Sequence, residues 1–147
     1  MSDFLVTGSA GFIGSALARK LVSDGHNVVS IDNLSTGFRK SIPKGVDFIE
    51  GDCQDESIIK KLNSYKFDAI FHIAGQSSGE ISYEYPIYDL QSNTQSTLLL
   101  LEYALKTKCK KFIYASTMSV YGEQPDIPVV EEVSASPKSF YAVGKLA

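Results

Sequence analysis

Basic excess is missing from this 147-residue sequence: 14 lysines and arginines stand against 17 aspartates and glutamates, for a net charge of -3 at pH 7. A nucleic-acid-binding surface normally shows as uncompensated cations on one face, so no nucleic-acid partner is expected. Long apolar runs are missing too. Leu98, Leu99, Leu100 and Leu101 stand in a row, far short of the roughly 20 residues that span a bilayer. Cysteine is scarce, and Cys53 and Cys109 show no CxxC or Cys/His spacing. They read as reduced cytosolic thiols, neither metal ligands nor a disulfide. The chain passes from Met1 straight into "FLVTG" with no basic-then-apolar leader, so the expected setting is cytoplasmic, without membrane or metal. No internal repeat, low-complexity tract or linker interrupts it, and its length suits one domain with a real core.

What is present is alternation. The composition, 44% hydrophobic and 21% charged, is that of an ordinary globular protein. Short β-branched or aromatic runs at 4–8, 27–32, 46–52, 68–74 and 110–116 predict strands. Several are almost continuously apolar, as parallel strands covered on both faces are. Between them, helices are predicted near 12–24, 55–63, 91–107 and 137–147. Ile13, Leu17 and Leu21 recur every four residues on the first, and Gly25 stops it. Ser136 and Pro137 suit the N-cap and first turn of the last. After the second strand comes a loop, "NLSTGFRKSIPKG". The alternation predicts an α/β fold, a Rossmann-type doubly wound parallel sheet. The leucines of 91–107, with Leu105, cover more than one helix face. That predicts burial beyond the sheet side, either under the chain's own loops or against a second subunit.

"TGSAGFIG" sets Gly8, Gly11 and Gly14 directly after a strand and at the opening of a helix. In such a loop the first glycine allows the tight turn, the second a close approach to phosphate, and the third tight helix–strand packing. The helix N-terminus then offers free N–H groups to a pyrophosphate. Asp32 ends the next strand, where a carboxylate takes the adenosine ribose and repels a 2′-phosphate, favouring NAD over NADP. Asp52, in "GDCQD" after the third strand, either meets the adenine amino group or caps the helix near 55. Tyr141 and Lys145, in "SFYAVGKLA", are one helical turn apart and share a face. His72, mid-strand among apolar neighbours, reads as structural.

With the glycine loop, "DNLSTG", "GD", "HIAGQ", "ASTMSVYG" and "YAVGK" in this order, the chain resembles the extended short-chain dehydrogenase/reductase family. Within it the likeness is to NAD-dependent nucleotide-sugar epimerases and dehydratases. The resemblance implies that Gly8, Gly11, Phe12, Ile13 and Gly14 cradle the pyrophosphate of NAD. Asp32, Asn33, Ser35 and Thr36 would hold the adenosine ribose, and Asp52 and Cys53 would flank the adenine through side chain and backbone. Ala74, Gly75 and Gln76 would line the cofactor, and Asn93 matches the family's asparagine near the start of the long helix. Thr117, Tyr141 and Lys145 match the catalytic threonine or serine, tyrosine and lysine. The same likeness places a homodimer contact on helix 91–107 and the YxxxK helix.

A free tyrosine, with pKa about 10, is a poor base at neutral pH. A nearby ammonium and a positive nicotinamide favour its phenolate, and Lys145 is placed to supply the first and to hold the nicotinamide ribose. By the resemblance, Tyr141 takes a sugar hydroxyl proton as hydride leaves C4, and Thr117 steadies the oxygen. Sugar dehydratases and decarboxylases of the family carry carboxylates just past the threonine; here stand Met118 and Ser119. That favours epimerisation like that of a UDP-glucose 4-epimerase, with hydride returned to the opposite face. A dehydratase, a 4-keto-reductase or a non-catalytic NAD-binding module are the alternatives. Two departures are visible: Gly144 precedes the lysine where serine is usual, and Ser77 stands where some 4-epimerases have lysine. Members are roughly twice this long, with the substrate subdomain after the YxxxK helix. The chain is therefore expected to be the N-terminal, NAD-binding part of such an enzyme, truncated after that helix and inactive alone.

Overall fold

β-Branched and aromatic residues concentrate in five short segments. In the computed structural model of the chain, which describes residues 1–124 and 128–147, all five are strands. They are β1 (Asp3–Thr7), β2 (Asn27–Asp32), β3 (Val46–Glu50), β4 (Ala69–His72) and β5 (Lys111–Tyr114). Every pairing is parallel, in the order β3-β2-β1-β4-β5. The chain starts in the middle, winds to one edge, then crosses to the other. That order makes the carboxyl ends of β1 and β4 the switch point, where such sheets bind ligands. The run 68–74 yields a shorter strand because the N–H groups of Ile73 and Ala74 leave the ladder for Thr7 Oγ1, each at 3.1 Å.

Among the described residues, six α-helical segments connect or follow the strands: α1 (Phe12–Ser23), α2 (Glu56–Lys60), α3 (Gly79–Glu84), α4 (Pro86–Leu90), α5 (Ser96–Thr107) and α6 (Phe140–Leu146). A π turn, Gln91–Gln95, links α4 to α5, and 3-10 turns cover Arg39–Ser41, Lys61–Ser64 and Met118–Tyr121. The residues group into two compact units, Met1–Gly75 with Ser96–Ala115, and Gln76–Gln95 with Ser116–Ala147.

The first unit is the sheet with helices on both faces. Successive strand residues point to opposite sides. Thus Val6 and Val28 bury against Ala18 and Leu21 of α1. Leu5, Val29, Ile31 and Ile70 meet Ile58 and Ile59 of α2 and Leu100 and Tyr103 of α5. Each fully buried side chain of this kind contributes about 1.5–3 kcal/mol. The predicted α1 stripe holds only in part. Leu21 is buried and Leu17 half-buried, but Ile13 is exposed, because at the first turn the buried positions are the small Gly14 and Ser15. Gly25, with φ +82°, ends the helix region as expected. On α5, Leu100 is buried, whereas Leu98, Leu101 and Leu105 stay exposed. Spaced i, i+3, i+7, they form one open stripe, so of the two expected ways of covering this helix, the chain's own loops are not seen to do it among the described residues.

The second unit is helical. Its α3 and α4 were not predicted, since Ile81, Tyr83, Tyr85, Ile87 and Leu90 are all exposed and set no buried 3.6-residue period. Caps hold these helices instead: the Ser78 side chain accepts the Ile81 N–H, and Pro86 opens α4. The last helix begins later than predicted. Ser139, not Ser136, is its N-cap, accepting the Ala142 N–H at 3.1 Å. Ser136 lies outside the helix, its N–H donating to the Val120 carbonyl at 2.9 Å.

Candidate functional site

β1 runs into a turn that tolerates no side chain. Gly8 has φ +71°, and a Cβ on it would lie 2.8 Å from the Ala74 nitrogen. Its N–H donates to the Ile31 carbonyl at 2.8 Å, tying the turn back to β2. Gly14 is tighter still, because a Cβ there would stand 2.1 Å from the Gly8 carbonyl oxygen. So α1 rests directly on the loop. Gly11 differs. It is the N-cap of α1, and a Cβ on it would meet the Gly8 oxygen at 3.4 Å, an ordinary contact. The chain's own packing does not demand glycine there, and the space it leaves lies at an uncapped helix N-terminus. First-turn N–H groups are thereby left for an anion. Phe12, 94% exposed, and Ile13 flank them in the same turn. Ser9, wholly buried in the loop, has no partner for its hydroxyl among the described residues.

Asp32 closes the site on the β2 side. It is 9% exposed; Oδ2 accepts the Ala10 N–H at 2.9 Å and Oδ1 the Leu34 N–H at 2.8 Å. The second bond holds Leu34 at φ +58°, a backbone that leucine rarely adopts. Each carboxylate oxygen keeps a lone pair for a further donor. Beside it, the Asn33 amide donates to Asp52 Oδ2 at 2.8 Å, and the Asp52 carboxylate also takes the Gln54 N–H. Asp52 does not cap α2; Asp55 does, accepting the Ser57 N–H. Ser35 and Thr36 are exposed on the following loop. The Cys53 thiol is buried in the core and burial pushes its pKa up, which leaves its backbone for any ligand. Gly37 was missed by sequence reasoning: a Cβ there would clash with Ala10 at 2.7 Å, so the "DNLSTG" loop folds onto the glycine loop.

A buried polar chain fixes the switch point. Thr7 Oγ1 accepts two backbone N–H groups, from Ile73 and Ala74, which uses its lone pairs. It also lies 2.7 Å from His72 Nδ1, within hydrogen-bond distance. The other ring nitrogen, Nε2, faces Thr97 Oγ1 at 3.1 Å and Ser96 Oγ at 3.3 Å. His72 thus ties β1, β4 and α5 together, while Thr7 holds Ile73 and Ala74 ahead of the exposed Gly75.

The second unit holds Gln76, Asn93, Thr117, Tyr141 and Lys145. Asn93, buried in the π turn, donates to the Gln76 carbonyl at 3.0 Å and to Asp89 Oδ1 at 3.2 Å. The Gln76 side-chain amide also donates to Asp89 Oδ1, at 2.7 Å. Thr117 caps the 3-10 turn Met118–Tyr121, its Oγ1 accepting the Ser119 N–H at 3.2 Å. That turn, α3, α4 and the π turn all pack on α6. Tyr141 is half-buried; its N–H is anchored on Ser82 Oγ at 2.7 Å, and its phenol has no hydrogen-bond partner among the described residues. Lys145, one turn on, is 6% exposed. Burial draws its pKa down to about 8, against the pull of the Asp89 carboxylate. Asp89 was not foreseen, although an aspartate four residues before Asn93 on one helical face was its available signal.

A parallel sheet with a glycine loop at its switch point, an acid at the end of β2 and a tyrosine–lysine helix defines a Rossmann-type α/β protein. The profile of the NAD dependent epimerase/dehydratase family matches residues 4–147. The chain belongs to that family. It is 36% identical over 146 residues to a UDP-glucose 4-epimerase of Streptomyces lividans, covering 98% of this chain and 44% of the relative. It is 38% identical to one of Mycolicibacterium smegmatis, covering 97% and 48%. Among solved structures, UDP-glucose 4-epimerase of Thermotoga maritima with UDP-glucose superposes with TM-score 0.93 at 36% identity, covering 98% of this chain and 48% of that one. The Thermus thermophilus UDP-glucose 4-epimerase complex with NAD gives 0.91 at 38%, covering 97% and 47%. The chain spans about half the length of these relatives. Among the described residues no helix is long and apolar enough to cross a membrane, and no cluster of three or more metal-ligating side chains occurs.

Proposed function

We propose that this chain carries the NAD-binding and proton-transfer residues of a nucleotide-sugar 4-epimerase acting on a UDP-sugar in the cytoplasm. What supports it is a buried lysine one turn from a phenol with no hydrogen-bond partner among the described residues, in a chain whose glycine loop, helix end and Asp32 fit NAD. The space at Gly11 and the uncapped α1 receive the pyrophosphate, with Gly8, Phe12, Ile13 and Gly14 around it. Asp32, Asn33, Ser35 and Thr36 hold the adenosine ribose; Asp52 and the Cys53 backbone meet the adenine; Ala74, Gly75 and Gln76 line the cofactor, with Asn93 as the family's asparagine. When bound, NAD supplies a two-electron acceptor and donor. Tyr141 takes the proton of the sugar hydroxyl and returns it, Lys145 keeps positive charge beside that phenol, and Thr117 bonds the oxygen. Met118 and Ser119 offer no carboxylate for elimination, which favours epimerisation over dehydration.

Calorimetric titration of NAD and NADP into the chain tests the cofactor half of this reading. Saturable binding that prefers NAD is the expected result; a folded chain that binds neither removes it. The open stripe of Leu98, Leu101 and Leu105 favours a second element of the reading, a homodimer through α5 and α6. Light scattering should then give twice the monomer mass of 16.1 kDa, and Leu98→Lys/Leu105→Lys should return it to the monomer. A wild-type chain that stays monomeric at high concentration removes the dimer.

A further inference from the structure

Asp89 is a carboxylate in an unusual place. It lies on α4 and is 1% exposed, where an isolated charge would be expelled unless paired or hydrogen-bonded. One oxygen, Oδ1, accepts from the Gln76 amide at 2.7 Å and from the Asn93 amide at 3.2 Å. The other, Oδ2, faces α6: it lies 3.8 Å from where a Cβ on Gly144 would sit, next to Lys145. The Thr94 hydroxyl donates to the Gly144 carbonyl at 3.0 Å and seats α6 on the π turn at that point.

We infer that Asp89 is a positioning residue for the Tyr141–Lys145 pair: its carboxylate, oriented by Gln76 and Asn93, holds the buried Lys145 side chain charged and in place. This rests on the proposed pairing of Lys145 with Tyr141. Burial pushes Lys145 toward its neutral form and Asp89 toward its own. Each charge opposes that tendency in the other, so the two stay ionised together. A neutral lysine would lend nothing to a phenolate. The elements packed on α6 carry few other titratable groups. Glu80, Tyr83 and Glu84 of α3 are exposed; Tyr88 of α4, Tyr121 of the 3-10 turn and Tyr141 of α6 itself are half-buried. Among the described groups, the Asp89 carboxylate favours the charged form of Lys145. Gly144 has a role here too, since a side chain at 144 would crowd Thr94 Oγ1 at 3.3 Å and press α6 away from this carboxylate.

Asp89→Asn keeps an oxygen to accept from the two amides, removes the charge and puts an NH2 in place of Oδ2. The Lys145 titration is followed by NMR of the chain carrying 13C-labelled lysine, with Lys145→Arg to assign the signal. A wild-type midpoint of about 8 is expected. In Asp89→Asn it should fall by at least about one pH unit, a tenfold change in ionisation constant. An unchanged midpoint in a folded variant overturns the inference and leaves Asp89 as a hydrogen-bond acceptor for Gln76 and Asn93. If Asp89→Asn does not fold, Asp89→Asn/Lys145→Met decides: recovery of folding supports the charge pair, and no recovery overturns it. Because no NAD is added, this outcome is separate from the cofactor titration. A chain that binds no NAD can still show the Asp89 effect, and the reverse.

Discussion

Gly14→Ala is expected to destabilise the chain by about 3 kcal/mol, although alanine is the better helix former by about 1 kcal/mol. The added methyl would lie 2.1 Å from the Gly8 oxygen, 2.7 Å from its carbonyl carbon and 3.1 Å from Ser9 Cα. All three are backbone atoms, so no rotamer change relieves the clash. Nor can the loop yield cheaply, since the Gly8 N–H is held by Ile31 and Gly8 itself lies against Ala74. Either α1 lifts from the sheet, exposing Ala18 and Leu21, or the end of β1 is pulled from β2. Gly11→Ala is the control. Its methyl would make an ordinary contact at 3.4 Å, so stability should stay within about 1 kcal/mol while NAD affinity falls as the approach space fills. Denaturant unfolding of both variants checks this. Wild-type stability in Gly14→Ala would show that the loop relaxes in a way this packing does not allow.

Asp32→Ala should act twice. It removes the acceptor of the Ala10 and Leu34 N–H groups, and a buried unsatisfied donor costs about 1–3 kcal/mol. Ala10 is buried and Leu34 half-buried, so a loss of about 2–4 kcal/mol is expected. Without its bond, Leu34 should also relax from φ +58° and release the "DNLSTG" loop that Gly37 packs onto the glycine loop. The second effect is on the ligand. Losing charged hydrogen bonds to the two ribose hydroxyls, at about 1.5–3 kcal/mol each, should weaken NAD at least about 100-fold. Asp32→Asn separates the two, since its amide oxygen still accepts one N–H. A folded Asp32→Ala chain with undiminished NAD affinity would refute the ribose assignment and leave Asp32 a loop anchor.

Much of this molecule follows from patterns a few residues long. Strand–helix alternation placed five parallel strands, and "TGSAGFIG" followed by Asp32 placed the loop, helix end and acid that meet at the switch point. Turn chemistry, period and strand order are local, so they survive in one dimension. Other features were hidden because they depend on which distant residues meet. Residues 79–90 form two helices without an apolar stripe, since caps and packing on α6 hold them. Ser136 reads as the cap of the last helix, yet the side chain that accepts the Ala142 N–H in its first turn is that of Ser139. The leucines of α5 read alike, yet Leu100 is buried and Leu105 is 80% exposed, because only one side of that helix faces the sheet. One partner of His72 is Thr7, 65 residues away, and the surroundings of Lys145 needed Asp89 on another helix. Local backbone preference is written along the chain; the pairing of buried polar groups is settled only when burial makes leaving them unpaired costly.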